Sequence, residues 1–299
     1  MPKFSNSEQH LLSLFSPGVS FRFNGEDCNV IFAGKPQAPD GEPKTDVYAR
    51  CQKQSTHEQF DLKISYKQKN ADFLENKINA ERAEQILGSN WSAIIQSVLS
   101  PLQTYFQSKP LVYKKAMRHT DEGSITLGWK FEFLFGRRGG DLSGIIPLHP
   151  NQKIDIFSGR NLSGSKRNAF VNGQAITNSG VAEYIIVDDD ICSLQEAINI
   201  MMPIANYASG TDVCFACKAL NCRTLHNPIK WDGDRPLAVH IRWTVNHSKL
   251  TPQYIFNTPL VVKGNEVGNQ LLNAMSQLGI NSTNDIAANN CANEIVYWG

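Results

Sequence analysis

The chain has no apolar stretch approaching the ~20 residues that a membrane helix needs, so no membrane role is expected. It also lacks a dominant charge. Lys and Arg number 29 against 28 Asp and Glu, a formal net of +1, which argues against a surface that binds polyanions all over. The opening residues, MPKFSNSEQHLLSLFSPG, lack the charged start, long apolar run and cleavage site of a signal peptide. Without a secretory signal, seven cysteines, an odd number, read as reduced thiols or metal ligands, and a cytoplasmic protein is expected. No GxGxxG, Walker loop, HExxH or Ser-His-Asp spacing occurs, nor any internal repeat or low-complexity segment. The 299 residues, of which 41% are apolar and 19% charged, are globular in composition and enough for one large or two to three small domains.

What is present is concentrated in residues 41–69, GEPKTDVYARCQKQSTHEQFDLKISYKQK. A Pro-containing turn precedes Asp46 and a first β run, a polar turn follows, and a second β run carries Asp61 and Lys63. Side chains two apart share one face of a strand, so Asp61, Lys63, Ser65 and Lys67 point one way. Phe60, Leu62, Ile64 and Tyr66 point the other way, into a core. Antiparallel pairing of 46–52 with 59–67 is expected to bring Asp46 beside Asp61 and Lys63. Two converging carboxylates repel and suit a hard divalent cation with oxygen ligands. A lysine beside them can orient a water and stabilise charge growing on a phosphate. An Asp-x-Lys on the solvated face of an edge strand is the plainer reading of the same residues.

Pro43-Lys-Thr-Asp46, fourteen intervening residues and Asp61-Leu-Lys63 resemble the active site of the PD-(D/E)XK nucleases, the superfamily of most type II restriction endonucleases. The departure is that Pro and Asp are separated by two residues rather than adjacent, and the resemblance covers residues 40–90 only. It implies an α/β fold: a restriction-endonuclease-like core with a central mixed β-sheet flanked by helices, plus a β-rich DNA-recognition portion. It further implies Mg²⁺-dependent cleavage of double-stranded DNA at a specific short sequence, with Mn²⁺ able to replace Mg²⁺. Asp46 and Asp61 would hold the metal, Lys63 would position the attacking water and Lys67 would assist at the phosphate. A companion DNA methyltransferase, a prokaryotic cytoplasm and a homodimer on the duplex belong to the same picture. Some members add a glutamate from a preceding helix, which makes Glu8 a candidate, although a solvated first-turn acid explains it as well.

Charge is distributed unevenly. Between residues 109 and 170, eleven Lys and Arg face five acids, an excess of six that the rest of the chain offsets. Such a basic middle is the footprint of a nucleic-acid contact. Within it, Gly136-Arg137-Arg138-Gly139 follows a strand at 125–135, and a polar loop at 158–168 carries Arg160, Asn161, Lys166 and Arg167. Arginine's planar fork suits phosphate oxygens or the guanine edge, so these residues are expected to bind DNA. Ordinary flexible surface is the alternative. A helix at 71–87 is expected to present Asn70, Asn76 and Lys77 to substrate or to solvent, and a strand is expected at 153–157.

A second motif is Cys214-x2-Cys217-x4-Cys222-x3-His226, four ligands that suit a tetrahedral structural zinc. Small, partly buried core residues are the other reading. Ser193-Leu-Gln-Glu196 is a capping box opening a helix expected to run to Tyr207. Strands at 237–246 and 253–262, a helix at 265–278 and a final strand at 294–298 complete the chain, with Arg242 and Lys249 as further phosphate contacts. Three sections are therefore expected: a catalytic core at 1–118, a basic β-rich recognition region at 119–190 and a C-terminal α/β region at 191–299. The rivals are a non-catalytic, zinc-containing DNA-binding protein, or a repair or recombination nuclease of the same superfamily.

Overall fold

A computed structural model describes residues 6–71, 73–76, 78–136 and 139–299. It is a mixed α/β protein. Two compact units replace the three expected sections: the first joins Met1–Asp72 to Leu148–Asp212, the second joins Phe73–Pro147 to Val213–Gly299. Residues 148–190, assigned by sequence to the recognition region, belong to the unit that holds the Asp46 hairpin.

In the first unit, helix α1 (Asn6–Leu14) precedes strands β1 (Ser20–Phe23), β2 (Glu26–Gly34), β3 (Val47–Lys53) and β4 (Gln59–Lys67). The chain returns to the unit through α2 (Pro150–Ser158), β5 (Tyr184–Val187), α3 (Leu194–Ile200), β6 (Met202–Pro203) and α4 (Ile204–Gly210). The six strands lie in sequence order in one sheet. β1 to β4 form an antiparallel meander, β5 runs parallel to β4, and β6 is antiparallel to β5.

The alternation read from the sequence decides which face is covered. Val47, Ala49 and Cys51 of β3, Leu62, Ile64 and Tyr66 of β4 and Ile186 of β5 are buried in one cluster with Leu11 and Phe15 from the α1 segment and Leu194, Ala197 and Ile198 of α3. Each fully buried Val, Leu, Ile or Phe side chain in it contributes about 1.5–3 kcal/mol. The opposite face carries the polar series. Ile185 and Tyr48 on that face are also buried, at 2% and 0% exposure.

Two segments differ from expectation. The 153–157 strand is α2 instead: Pro150 sits at its first turn, His149 caps it, and Gly159 ends it in the left-handed conformation at φ 75°. Ser193 does cap α3, its hydroxyl accepting from the Glu196 amide at 3.2 Å, but the Glu196 carboxylate takes the Cys192 amide at 2.8 Å and does not close the expected capping box; α3 ends at Ile200 and a separate helix follows Pro203. Proline lacks the amide needed to continue the ladder.

The second unit is built on the strand Ser124–Leu134, whose neighbours are Cys214–Arg223 and Val239–Asn246, with Lys230–Trp231 and Lys249–Ile255 outside them. Helix Gly264–Gln277 packs on Val239–Asn246. The expected helix at 71–87 starts only at Ala80; Phe73–Glu75 is a strand paired with Ser124–Leu134. No helix among the described residues is long and apolar enough to cross a membrane.

Candidate active site on the hairpin of the first unit

The β3–β4 hairpin closes between Lys53 and Glu58, whose backbones are joined at 3.0 Å. That turn fixes the register: Gln52 faces Gln59, Arg50 faces Asp61, Tyr48 faces Lys63 and Val47 faces Ile64. Asp46 therefore falls opposite Ser65, four strand positions from the partner of Asp61. At ~3.3 Å per residue the two acids are about 13 Å apart along the sheet. Asp46, Asp61 and Lys63 do share a face, but they do not converge, and the expected three-residue cluster is corrected.

Each takes different partners. Asp61 accepts from Arg50 Nε at 2.9 Å, and Arg50 also donates to the Tyr48 hydroxyl at 2.6 Å. Burial alone would raise the Asp61 carboxyl. Hydrogen bonds from Arg50 and Tyr48 outweigh it and hold the group below the usual carboxylate range. Burial, then the bond to Asp61, push the Tyr48 phenol up. Lys63 pairs across β5 with Glu183 at 2.5 Å. Asp61 and Lys63 are thus tied into structural ion pairs.

This has a testable consequence. Asp61→Ala leaves a buried phenol and Arg50 without their acceptor and should lower stability by about 1–2 kcal/mol at neutral pH. A depressed folded pKa contributes stability that is present above the ordinary aspartate value near 4 and lost as pH falls through the lower folded value. Acid unfolding of Asp61→Asn should therefore lose part of the steepness that wild type shows below about pH 4. Superimposable urea and acid titrations for variant and wild type would refute the structural role.

At the end of the hairpin the arrangement is different. The Asp46 amide donates to the Ile64 carbonyl at 2.8 Å. Its Oδ2 accepts from the Tyr66 amide at 2.7 Å and from the Ser65 hydroxyl at 3.4 Å. Lys67 Nζ stands 3.8 Å from the same oxygen. Oδ1 receives no hydrogen bond from any described residue. Both side chains are mostly covered, with 14% of Asp46 and 25% of Lys67 exposed. Sequence reading named Lys67 only as an accessory. The signal that would have promoted it is arithmetic: a turn at 54–57 sets Asp46 beside Ser65-x-Lys67, not Asp61-x-Lys63.

The α1 end of the unit meets the same sheet edge. Ser7 accepts from Gln68 at 3.0 Å, and Glu8 pairs with Lys35, just past β2, at 2.6 Å. By the β2–β3 register Lys35 falls level with Val47, one residue from Asp46. The Tyr66 phenol is held up by burial first and then by the charges of Asp189, Asp188 and Glu8. Glu8 thus lies near the hairpin end, engaged with a lysine. Asp188–Asp190 form a self-bonded turn, Asp188 accepting from the next two amides at 2.7 and 3.4 Å.

The expected DNA-reading residues separate. Arg160 and Asn161 both bond the buried Asp155, at 2.8 and 2.6 Å, and so close the end of α2 rather than forming a free reading loop. Lys166 and Arg167 lie in a four-residue helical turn, Gly164–Arg167. Arg137, Arg138 and Lys77 fall outside the described residues. The basic run is divided between the units, and several of its cations are matched: Lys109 with Asp141, Lys115 with Glu122, Lys130 with Glu132 and Lys153 with Asp212.

The zinc constellation is not assembled. Cys214, Cys217 and Cys222 are spread along one strand, Cys214–Arg223, over about 26 Å. Cys214 and Cys217, three apart, point to opposite faces. All three are buried, and His226 is exposed in the turn beyond. Burial, then Asp232, push the Cys222 thiol up to about 12. Among the described residues no three His, Cys, Asp or Glu side chains gather as a metal group.

Magnesium makes a weaker demand, since it is commonly held by one or two carboxylates, with waters and substrate phosphate completing the shell. Asp46, with one oxygen anchored and the other open, fits that demand. Comparison with protein-family models, curated proteins and solved structures finds no match to this chain.

Proposed function

We propose that the protein is a Mg²⁺-dependent nuclease that hydrolyses phosphodiester bonds of DNA at the Asp46–Lys67 end of its hairpin. One observation carries the reading: an anchored carboxylate and an ammonium 3.8 Å apart, at the end of β4 in a mixed sheet flanked by helices. Asp46 would hold the cation through its open oxygen. When bound, the cation supplies Lewis-acid activation of phosphate and water. The Tyr66 amide and Ser65 hydroxyl fix the carboxylate so that its position costs no reorganisation when substrate arrives. Lys67, on the same face, directs its positive charge to the phosphate oxygens and keeps the attacking water oriented.

The sheet with α1 before the meander and a parallel strand beside β4 supports assignment to the restriction-endonuclease-like class. The finer reading is a type II restriction enzyme acting on double-stranded DNA, with the β-rich second unit as reading apparatus and a methyltransferase as companion. The rival, a non-catalytic zinc protein, loses support because its thiols are strung along a strand. Incubating the protein with supercoiled plasmid, with and without Mg²⁺, tests the reading. Nicked or linear products are expected only with the metal, and sequencing of their ends reports any site preference. Intact plasmid in Mg²⁺ or Mn²⁺ across several DNA sequences would overturn it.

A further inference from the structure

The turn that carries Lys166 and Arg167 is built onto the loop that delivers Asp46. Asp40, in that loop, accepts from the Ser163 and Ser165 hydroxyls through one oxygen, at 2.8 and 2.9 Å. At the far end of the turn the Gly180 amide donates to the Arg167 carbonyl at 2.9 Å, and the Lys44 amide donates to the Gly180 carbonyl at 3.0 Å. Asn168, next in the chain, accepts from the Asn178 amide through its side chain at 2.9 Å. The turn and the loop are thus joined on both sides of Pro43. The segment also reaches the face of the sheet that carries Asp46 and Lys67. Val171, four residues on from Arg167, packs so closely on Gly34 that a Cβ there would lie 2.7 Å from Val171 Cγ1. Gly34 is paired with Tyr48, which is two residues from Asp46. Paired residues share a face, and so do residues two apart on a strand.

The two cations of the turn differ. Lys166 is half-buried, and its ammonium folds back on the loop, where a Cβ on Gly41 would lie 3.2 Å from Nζ. Arg167 is exposed and pairs with no acid among the described residues. Arg160, by contrast, is occupied by Asp155 at 2.8 Å. An unpaired guanidinium on a fixed backbone offers a planar fork that matches phosphate oxygens. Two residues of chain at ~3.3 Å and two hydrogen-bonded steps of ~4.8 Å place the Arg167 backbone within about 16 Å of Asp46. Along one strand of a duplex the phosphates rise by about 3.4 Å each, so that span is a few nucleotides.

Resting on the nuclease reading, we propose that Arg167 is a positioning residue that grips a backbone phosphate of the strand being cut, a few nucleotides from the phosphate at Asp46. The first unit then sets the register of the strand on the metal site by itself. A phosphate contact of this kind fixes position and carries no sequence information.

The test uses full-length protein carrying Asp46→Asn, which binds without cutting, and labelled duplexes of several sequences in Mg²⁺ over a series of salt concentrations. Adding Arg167→Ala should weaken every duplex alike, several-fold, and make the plot of log affinity against log salt shallower by about one. Arg167→Lys should keep the wild-type slope, since the charge remains. With Asp46 intact, Arg167→Ala should raise KM for cleavage and leave the melting temperature unchanged, whereas a merely structural arginine would lower it. A loss confined to one sequence, or a lower melting temperature with an unchanged salt slope, would overturn the proposal. The two failures are separable. Wild type that nicks plasmid while Arg167→Ala changes neither slope nor KM refutes the phosphate anchor alone. Wild type that neither nicks plasmid nor binds any duplex refutes the nuclease reading and the anchor with it.

Discussion

Asp46→Ala and Lys67→Ala proteins should leave supercoiled DNA intact in Mg²⁺ while Asp61→Ala protein still nicks it. The losses should be roughly a hundredfold or more, the scale set by removing one preorganised charge-stabilising group. The two variants fail for different reasons. Without Asp46 the cation loses its protein oxygen, so raising Mg²⁺ should recover part of the rate. Without Lys67 the metal site persists and added Mg²⁺ should recover none. Asp46→Asn is the control for folding: its side-chain oxygen can still accept from the Tyr66 amide that Asp46 engages at 2.7 Å. Its melting temperature should stay close to that of wild type while cleavage is lost. Should Asp61→Ala be dead and Lys67→Ala active, both folded, the site would be at the middle of the hairpin and this placement wrong.

The hairpin itself was legible because period-two alternation from Phe60 to Lys67 leaves one solution for which side is buried. Pairing was harder, since alternation fixes the face of a residue but not its opposite number. An acid at the start of β3 and one near the start of β4 lie at opposite ends of an antiparallel pair, and only the Lys53–Glu58 closure says so. The helix α2 carried its own signals, Pro150 after His149 and Gly159 at the end, which the alternating Ile154 and Ile156 obscured. Phe73–Glu75 carried none that local reading could use: its strand exists because Leu134 and Phe133 offer it a ladder some sixty residues away. The cysteines misled through spacing. A ligand spacing presupposes a knuckle that turns the thiols together, whereas Cys214–Arg223 is extended against Ser124–Leu134 along its length.

Gly180→Ala should both destabilise the first unit and impair cleavage, although residue 180 touches no substrate in the proposed mechanism. Its amide donates to the Arg167 carbonyl at 2.9 Å, and its carbonyl accepts from the Lys44 amide at 3.0 Å. Lys44 lies two residues before Asp46, so Gly180 clips the loop that delivers the carboxylate. There is no space for a side chain. A Cβ would fall 1.8 Å from the Lys166 carbonyl oxygen and 2.9 Å from the Pro43 Cβ. The first is backbone, which cannot rotate aside as a flexible side chain would, so one of the two segments must move. Overpacking of this kind costs about 1–3 kcal/mol, read as a lower urea midpoint. A displacement of about 1 Å at a reacting group can cost on the order of a hundredfold in rate, so cleavage should fall even at temperatures where the variant is fully folded. Gly25→Ala separates this from the conformational penalty that glycine replacement carries elsewhere. Gly25, in the β1–β2 turn, sits at φ 84°, and a Cβ there would meet no atom within 4 Å. Its replacement should therefore cost about 1–2 kcal/mol from left-handed strain alone, with the nicking rate on plasmid largely kept. If Gly180→Ala melts and cuts like wild type, the 43–46 loop is not held by this close approach, and the rigid placement of Asp46 must have another source.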